Sequence, residues 1–513
     1  MNTKNKNPDE YFNTDHLKKD LKSRAVKGGG LAIFTSSAKY LVNIMGTIVL
    51  ARLLAPADFG LLAMVSAITE FFFLFQDLGL TDAVIQAQEI NHRQISTVFW
   101  INLVFGLGMA ILIIALSPAI AWFYSEPRLK LIAIIVSTGF IFSGLSIQHR
   151  ALLKRSMKFR QIAAIEVSAR IGSILAAIIM ALYGCGYWSL VARPVIYAIL
   201  GALISWVLCS WRPGLPTRNS NVSTMIRFGA HTTATFIVHY FATRLDKILV
   251  GWKYGAAELG YYHKAYHLYT LPVSQLTVSL QHVAVGTLSK LRDDPEKYRS
   301  YYLKAVSIIS FVGFPFSAFL VAMSKHIILL LLGPQWGKTA AIFSIFGVSA
   351  GIQMIYSTRG WLHSSLGRAE RWFRWDMIGS ALTVAAVSLG LIFGTRGVAI
   401  TYTCITLILV GPGISYAGSP IGIQLKNIIR AVWRYIIASI TAGFLCWYLF
   451  NHLFFIPVLF LQIFLAFIFY SAAYLLIVIL LFGSVMPITQ FVHLLSNLLP
   501  RFKKGGGGKK QNI

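Results

Sequence analysis

Charge is scarce in this chain, and acid is scarcest. Only 12% of its 513 residues are charged, with 18 Asp and Glu against 46 Lys and Arg. Soluble globular domains carry about 25% charged residues. With 56% hydrophobic residues and a mean hydropathy of +0.66, the chain is too apolar to be covered as a soluble domain. Cysteine is rare as well. Cys185, Cys209, Cys404 and Cys446 are scattered through apolar segments. That excludes a disulfide framework and a cysteine metal centre, which need regular spacing. There is no His-Glu-x-x-His, no carboxylate pair on a soluble domain, and no extramembrane stretch long enough for a catalytic cleft. No catalytic residue, metal or cofactor is expected, and an enzyme is the weak hypothesis.

What is present is a series of apolar runs of 18 residues or more. Each matches the roughly 20 residues needed to cross about 30 Å of hydrocarbon. Fourteen spans are expected: 31–54, 58–80, 97–122, 129–151, 162–183, 188–209, 226–252, 258–288, 302–324, 338–362, 372–394, 396–417, 427–450 and 457–483. The polar, basic residues 1–30 are too long and too charged for a cleavable signal, so the first run is expected to stay as a helix. Most of the Lys and Arg then fall on one side, in the tail before span 1, in "HRALLKRSMKFR" (149–160), in "KLRDDPEKYRSYYLK" (290–304) and in "RWFR" (371–374). This bias places both termini in the cytoplasm. It also accounts for the net charge of +28 without nucleic acid, because short basic loops face an anionic leaflet.

The chain repeats itself. "APADFGLLAM" (55–64) and "GAAELGYYHK" (255–264) carry Ala57-Asp58-Phe59-Gly60 and Ala257-Glu258-Leu259-Gly260, 200 positions apart. The same shift sets Ser23 on Ser223, Lys27 on Arg227, Gly29 on Gly229 and Thr35 on Thr235. Beyond "DDPEK" (293–297) the shift becomes 207, with Ala115 on Ala322, Ser117 on Ser324 and Gly144 on Gly351. Each unit holds six spans, an even number, so both enter the membrane in the same direction. The expected fold is all-α and integral to the membrane: two parallel-repeat, six-helix lobes plus two further helices, an arrangement transporters use. The expected organisation is a basic tail (1–30), an N-lobe (31–210), a C-lobe (226–418), spans 13 and 14 (427–484) and a second basic tail (485–513). Asp58 and Glu258 are expected to open helices, where a carboxylate suits the N-terminus.

One segment imitates a nucleotide motif. "GPQWGKT" (333–339) has only three residues between its glycines where a P-loop needs four, and it falls on the outer side. It is therefore rejected. Ionisable residues inside spans are costly and mark substrate or ion paths. They are Lys39, Arg170, Arg193, Arg244, Lys264, Glu70, Asp77, Glu166 and Asp246. Lys39 lies about 12 Å and Glu70 about 15 Å from the cytoplasmic edge at 1.5 Å per residue. They are expected to face each other across the first hairpin. Glu166 and Arg170, four apart, are expected to pair locally. Ser66, Glu70 and Asp77 share one polar face. The aromatic run "GYYHKAYHLY" (260–269) reads as an interfacial belt, and His263 with His267 lacks the further ligands zinc would need.

"ARLLAPADFGLLAM", "DLGLTDAVIQ" (77–86), "ISTVFWIN" (95–102), "RALLKRSMKFRQIAAIE" (150–166), "RFGA" (227–230) and "DKILVGWKYGAAELGYYHKAYHLYTLP" (246–272) resemble bacterial polysaccharide flippases. The resemblance is to the colanic-acid-exporter branch of the multidrug/oligosaccharidyl-lipid/polysaccharide exporter superfamily. It runs from about residue 25 to 420 and fades beyond 427. It implies a fourteen-helix, two-lobe transporter of the bacterial inner membrane. Such a protein turns an undecaprenyl-pyrophosphate-linked oligosaccharide to the outer leaflet through a cationic cavity. Lys39, Arg170, Arg244 and Lys264 are then the candidate substrate contacts, and Glu70 and Asp77 the candidate coupling acids. Membrane lipids and other polysaccharide-assembly membrane proteins are the further expected partners. The alternatives are a cation-coupled drug antiporter of the same superfamily, which would favour an acidic pocket, and a lipid-glycan polymerase or ligase, which would need a large outer loop.

Overall fold

A computed structural model describes residues 11–12, 21–76, 79–87, 89–217, 223–454 and 456–498. Asp77 and most of the two basic tails lie outside the described residues. The described chain is helical, with no strand among those residues. Eleven stretches are long and apolar enough to cross a membrane, from Gly28–Leu53 to Leu459–Phe482. This is an all-α, multi-pass membrane protein.

Six of the first seven helices follow the apolar runs, all but the short α3: α1 Leu21–Leu53, α2 Pro56–Gln76, α3 Leu80–Gln86, α4 His92–Phe123, α5 Arg128–Arg155, α6 Phe159–Leu182 and α7 Tyr187–Leu208. The second expected span, 58–80, thus stops at Gln76 and is followed by α3. The Arg155 guanidinium donates to the carbonyls of Val84, Ile85 and Ala87 and so satisfies the end of α3. Spans 7 and 8 are separate helices, as expected; they follow one another without a loop, breaking at Gly255, and together make up α8 Ser223–Lys290. There φ is 77° and ψ −177°, a conformation that favours glycine. The order continues with α9 Pro295–Ala322, α10 Ser324–Leu331, α11 Gly337–Ser357, α12 Arg359–Ser365, α13 Ala369–Gly390 and α14 Gly394–Gly418. It ends with α15 Leu425–Tyr448, α16 Leu459–Phe482 and α17 Met486–Leu498. The apolar stretch Ala369–Ile421 holds two helices, α13 and α14, separated at Gly394 with φ 80°.

The chain divides into two compact units. One is Met1–His267 with Ile328–Ile342 and Asp376–Tyr402; the other is Leu268–Ile327 with Phe343–Trp375 and Thr403–Ile513. In the first, α4 packs on α5, α6 on α7 and α1 on α6. In the second, α15 packs on α9 and α16.

Equivalent packing devices recur at the offsets read from the sequence. A Cβ on Gly144 would sit 3.0 Å from the Asn102 carbonyl oxygen, and one on Gly106 would sit 2.7 Å from that of Phe140. At an offset of 207, Gly351 faces the Gly313 carbonyl oxygen at 2.9 Å. Small residues let backbones approach closely where no hydrophobic force drives helices together. The next turns match at 210. Lys158 N–H donates to the Leu153 carbonyl at 2.9 Å, and Arg368 N–H to that of His363 at 2.9 Å. Their left-handed residues, Met157 (φ 52°) and Gly367 (φ 68°), sit at the same place in each turn.

Candidate functional site

The tetrads that open the two repeats meet within the first unit. A Cβ built on Gly60 would run into the Ala256 carbonyl, and one on Gly260 would run into the Pro56 carbonyl. Pro56 and Ala256, like Gly60 and Gly260, are 200 apart. The contact therefore exchanges with itself, as a two-fold interface does. Asp58 accepts from Ala55 N–H at 2.9 Å and caps its helix as expected. Glu258 does something else. It binds Lys338 Nζ and accepts the Thr395 hydroxyl at 2.9 Å.

"GPQWGKT" supplies the lid of this contact. Pro334–Trp336 form a 3-10 turn, and Trp336 is fully buried. Its indole N–H and the Gln335 amide each donate to the Ala51 carbonyl at 2.8 Å. The indole also meets the Phe59 ring edge-on at 5.4 Å. Rejection of a nucleotide motif left this segment without a role; its tryptophan is a plug.

Deeper in the same unit lie the ionisable residues. Lys39 on α1 pairs with Glu166 on α6, and Glu70 on α2 pairs with Arg244 on α8 at 3.0 Å. Neither pair is the expected one. Lys39 does not meet Glu70, because α1 packs along α6, and Glu166 is taken by Lys39 rather than by Arg170. Rise per residue carries no information on the direction in which each side chain leaves its helix. Arg170 instead lies over the Tyr197 ring at 4.4 Å. Arg193 donates to the Asn43 amide oxygen. Lys264, 6% exposed, sits over the Phe59 ring at 3.9 Å and within electrostatic reach of Arg193.

The run 260–269 is not an interfacial belt. Tyr262 and Tyr269 are buried, Tyr262 donating to Asp246 at 3.0 Å. His263 and His267 stack at 6.1 Å. Composition flags aromatic residues but does not separate an interior tyrosine from a lipid-facing one. Sequence reasoning also missed Lys247, buried at 3% exposure over the Tyr266 ring at 4.6 Å, because it stands near a span end. Among the described residues no group of His, Cys, Asp and Glu is arranged to hold a metal. The second unit has a different feature, an apolar cavity of about 640 Å³ walled by Phe314, Val321, Val348, Ile440, Phe444 and Trp447.

Comparison with known proteins supplies the context. The profile of the family described as "Polysaccharide biosynthesis protein" matches residues 49–341. The chain belongs to that family. It is 24% identical over 431 residues to the lipopolysaccharide biosynthesis protein WzxC of Escherichia coli (strain K12), covering 83% of this chain and 85% of WzxC. It is 23% identical over 388 residues to the succinoglycan biosynthesis transport protein ExoT of Rhizobium meliloti (strain 1021), covering 75% and 78%. Among solved structures, the lipid II flippase MurJ in its inward closed conformation superposes with a TM-score of 0.71 at 18% identity, over 88% of this chain and all of MurJ. The fold of this family member is thus that of a membrane transporter.

Proposed function

We propose that this protein carries an undecaprenyl-pyrophosphate-linked oligosaccharide from the cytoplasmic to the outer leaflet of the bacterial inner membrane, with both chain termini in the cytoplasm. The observation that carries this reading is the set of cations without carboxylates. Arg170, Arg193 and Lys264 are held by a phenol ring, an amide and a phenyl ring, and no carboxylate is in ion-pair range among the described residues. Lys264 is buried and Arg170 and Arg193 are half-buried, and charge out of water is tolerated when paired or hydrogen-bonded, so we read these cations as a receptor for an anion. Guanidinium and ammonium groups are the natural donors to a pyrophosphate. Lys39 and Arg244, each already paired, can exchange a protein carboxylate for a cargo phosphate. The acids so released, Glu166 and Glu70, with Asp77 further along the chain, are where a proton or cation would couple.

The two lobes of the repeat rock about the Gly60–Gly260 contact, and the isoprenoid tail stays in the surrounding lipid. No nucleotide is required. Moving negative charge outward across an inside-negative membrane gains about 2.3 kcal/mol per charge per 100 mV. A transporter of organic cations would line the same space with acid, and here Glu70 and Glu166 are already matched by Arg244 and Lys39.

The test is export by single variants. Hydrogen bonds to charged groups contribute about 1.5–3 kcal/mol, so Arg193→Gln and Lys264→Met are expected to lower export by about 10- to 100-fold while Lys264→Arg retains most of it. Deletion is expected to leave lipid-linked oligosaccharide on the cytoplasmic leaflet, read by glycan labelling of sealed vesicles of known sidedness. Full export by well-inserted Arg193→Gln and Lys264→Met variants, or accumulation on the outer leaflet, excludes the proposal.

A further inference from the structure

We propose that the start of α15 is a binding site for an anionic phospholipid, separate from the cargo path. Lys426, Arg430 and Arg434 stand at intervals of four and so share one face of the helix. Lys426 and Arg430 are exposed. No carboxylate pairs with any of the three among the described residues, and no Asp or Glu follows Asp376 in the sequence. Arg434 is fixed by stacking, its guanidinium 4.7 Å from the Phe482 ring centre and 5.4 Å from that of Trp433. Its Nε is buried and without a hydrogen-bond partner.

The helix itself adds to the positive field. The first turn of α15 contains no acid, and its N-cap Gln424 makes no side-chain hydrogen bond. Cations at a helix N-terminus oppose the dipole. An anion placed there satisfies the side chains and the free N–H groups together.

A second stripe runs beside the first. Ile429, Trp433 and Ile437 are 51%, 41% and 45% exposed, and the lane continues through Ile440 and Phe444. At 1.5 Å per residue it extends about 22 Å. A phosphodiester on the cationic stripe with acyl chains along the apolar lane fits both. A nucleic acid or an acidic peptide would leave the lane uncovered. That the site faces the inner leaflet rests on the orientation proposed above; the binding itself does not.

The test uses the purified full chain in neutral detergent, titrated with phosphatidylglycerol or phosphatidylcholine and read by native mass spectrometry. Attraction of about 1 kcal/mol per cation corresponds to about fivefold in affinity. Lys426→Gln with Arg430→Gln is therefore expected to weaken phosphatidylglycerol binding by about 25-fold and leave phosphatidylcholine unchanged. Both side chains are exposed, so the variant is expected to fold. The exchange Lys426→Arg with Arg430→Lys is expected to keep the preference. Raising salt until the Debye length falls from about 10 Å to about 3 Å weakens it in the unaltered chain. A preference that survives the double Gln variant, or resists salt, overturns the proposal. Displacement by inorganic pyrophosphate at low concentration overturns it too, since the stripe would then belong to the cargo head group. Because no step of this measurement involves transport, it stands or falls apart from the flippase reading.

Discussion

The tetrad turns and the ionic interior lie in the same compact unit but obey different rules. The turns are symmetric: Gly60 meets Ala256 as Gly260 meets Pro56, backbone against backbone, with no charge at the point of contact. The interior has lost the repeat. At the offset of 200, Lys39 corresponds to His239, Glu70 to Thr270, Arg244 to Ile44 and Lys264 to Met64. At the offset of 210 that aligns the turns before α6 and α13, Arg170 corresponds to Ser380 and Arg193 to Thr403. Only Glu166 keeps its charge, on Asp376. A duplicated protein can retain its symmetry where two halves must fit and move as equals. It must give that symmetry up where an asymmetric cargo is held.

The largest effect is expected at the symmetric contact. A methyl group at Gly60 or at Gly260 has only backbone to push against, and overpacking of this kind costs about 1–3 kcal/mol or more. Gly60→Ala and Gly260→Ala are expected to lower thermal stability by similar amounts, and the double variant by less than their sum, because the first change already parts the helices. Differential scanning of the purified variants reads this. One tolerant glycine beside one intolerant glycine would break the symmetry argument.

The interior pairs come next. Lys39→Met leaves the Glu166 carboxylate without its cation. With side chains 30% and 23% exposed, the loss is expected at about 1–3 kcal/mol, below the 3–5 of a fully buried pair. Reversing the pair, Lys39→Glu with Glu166→Lys, is expected to recover folding but not export, because the cation then sits on α6 rather than α1. Recovered export would show that the cargo reads net charge and not position.

That pairing also marks the limit of the sequence. The break between spans 7 and 8 and the offsets of 200 and 207 were legible in the sequence. All of these are one-dimensional quantities. Which helix stands beside α1 is not, and neighbours decide partners. The same gap hid the burial of Tyr262 and Lys247, since a residue's distance from a span end says nothing of the direction in which it points. The role of Trp336 was hidden for another reason. Its acceptor, the Ala51 carbonyl, is a backbone group that no side-chain pattern announces.

The smallest effect is expected at an ion pair of better geometry between near neighbours in the chain, whose arginine is the more exposed partner at 48%. Arg128 reaches both carboxylate oxygens of Glu126 at 2.8 Å, a bidentate contact on the loop before α5. The guanidinium beside it holds the Glu126 carboxyl below the usual carboxylate range. A depressed carboxyl stabilises the fold above its unfolded-state titration and loses that contribution as pH falls through the lower, folded value. Glu126→Gln is therefore expected to cost no more than about 1 kcal/mol at neutral pH, the difference from the unaltered chain vanishing in acid and shrinking in salt. The Lys39–Glu166 pair is expected to resist the same salt, since partly buried pairs are screened much less. If thermal melts show both pairs fading alike with ionic strength, the interior is as wet as the loop, and the contrast between the two regions lies in shape alone.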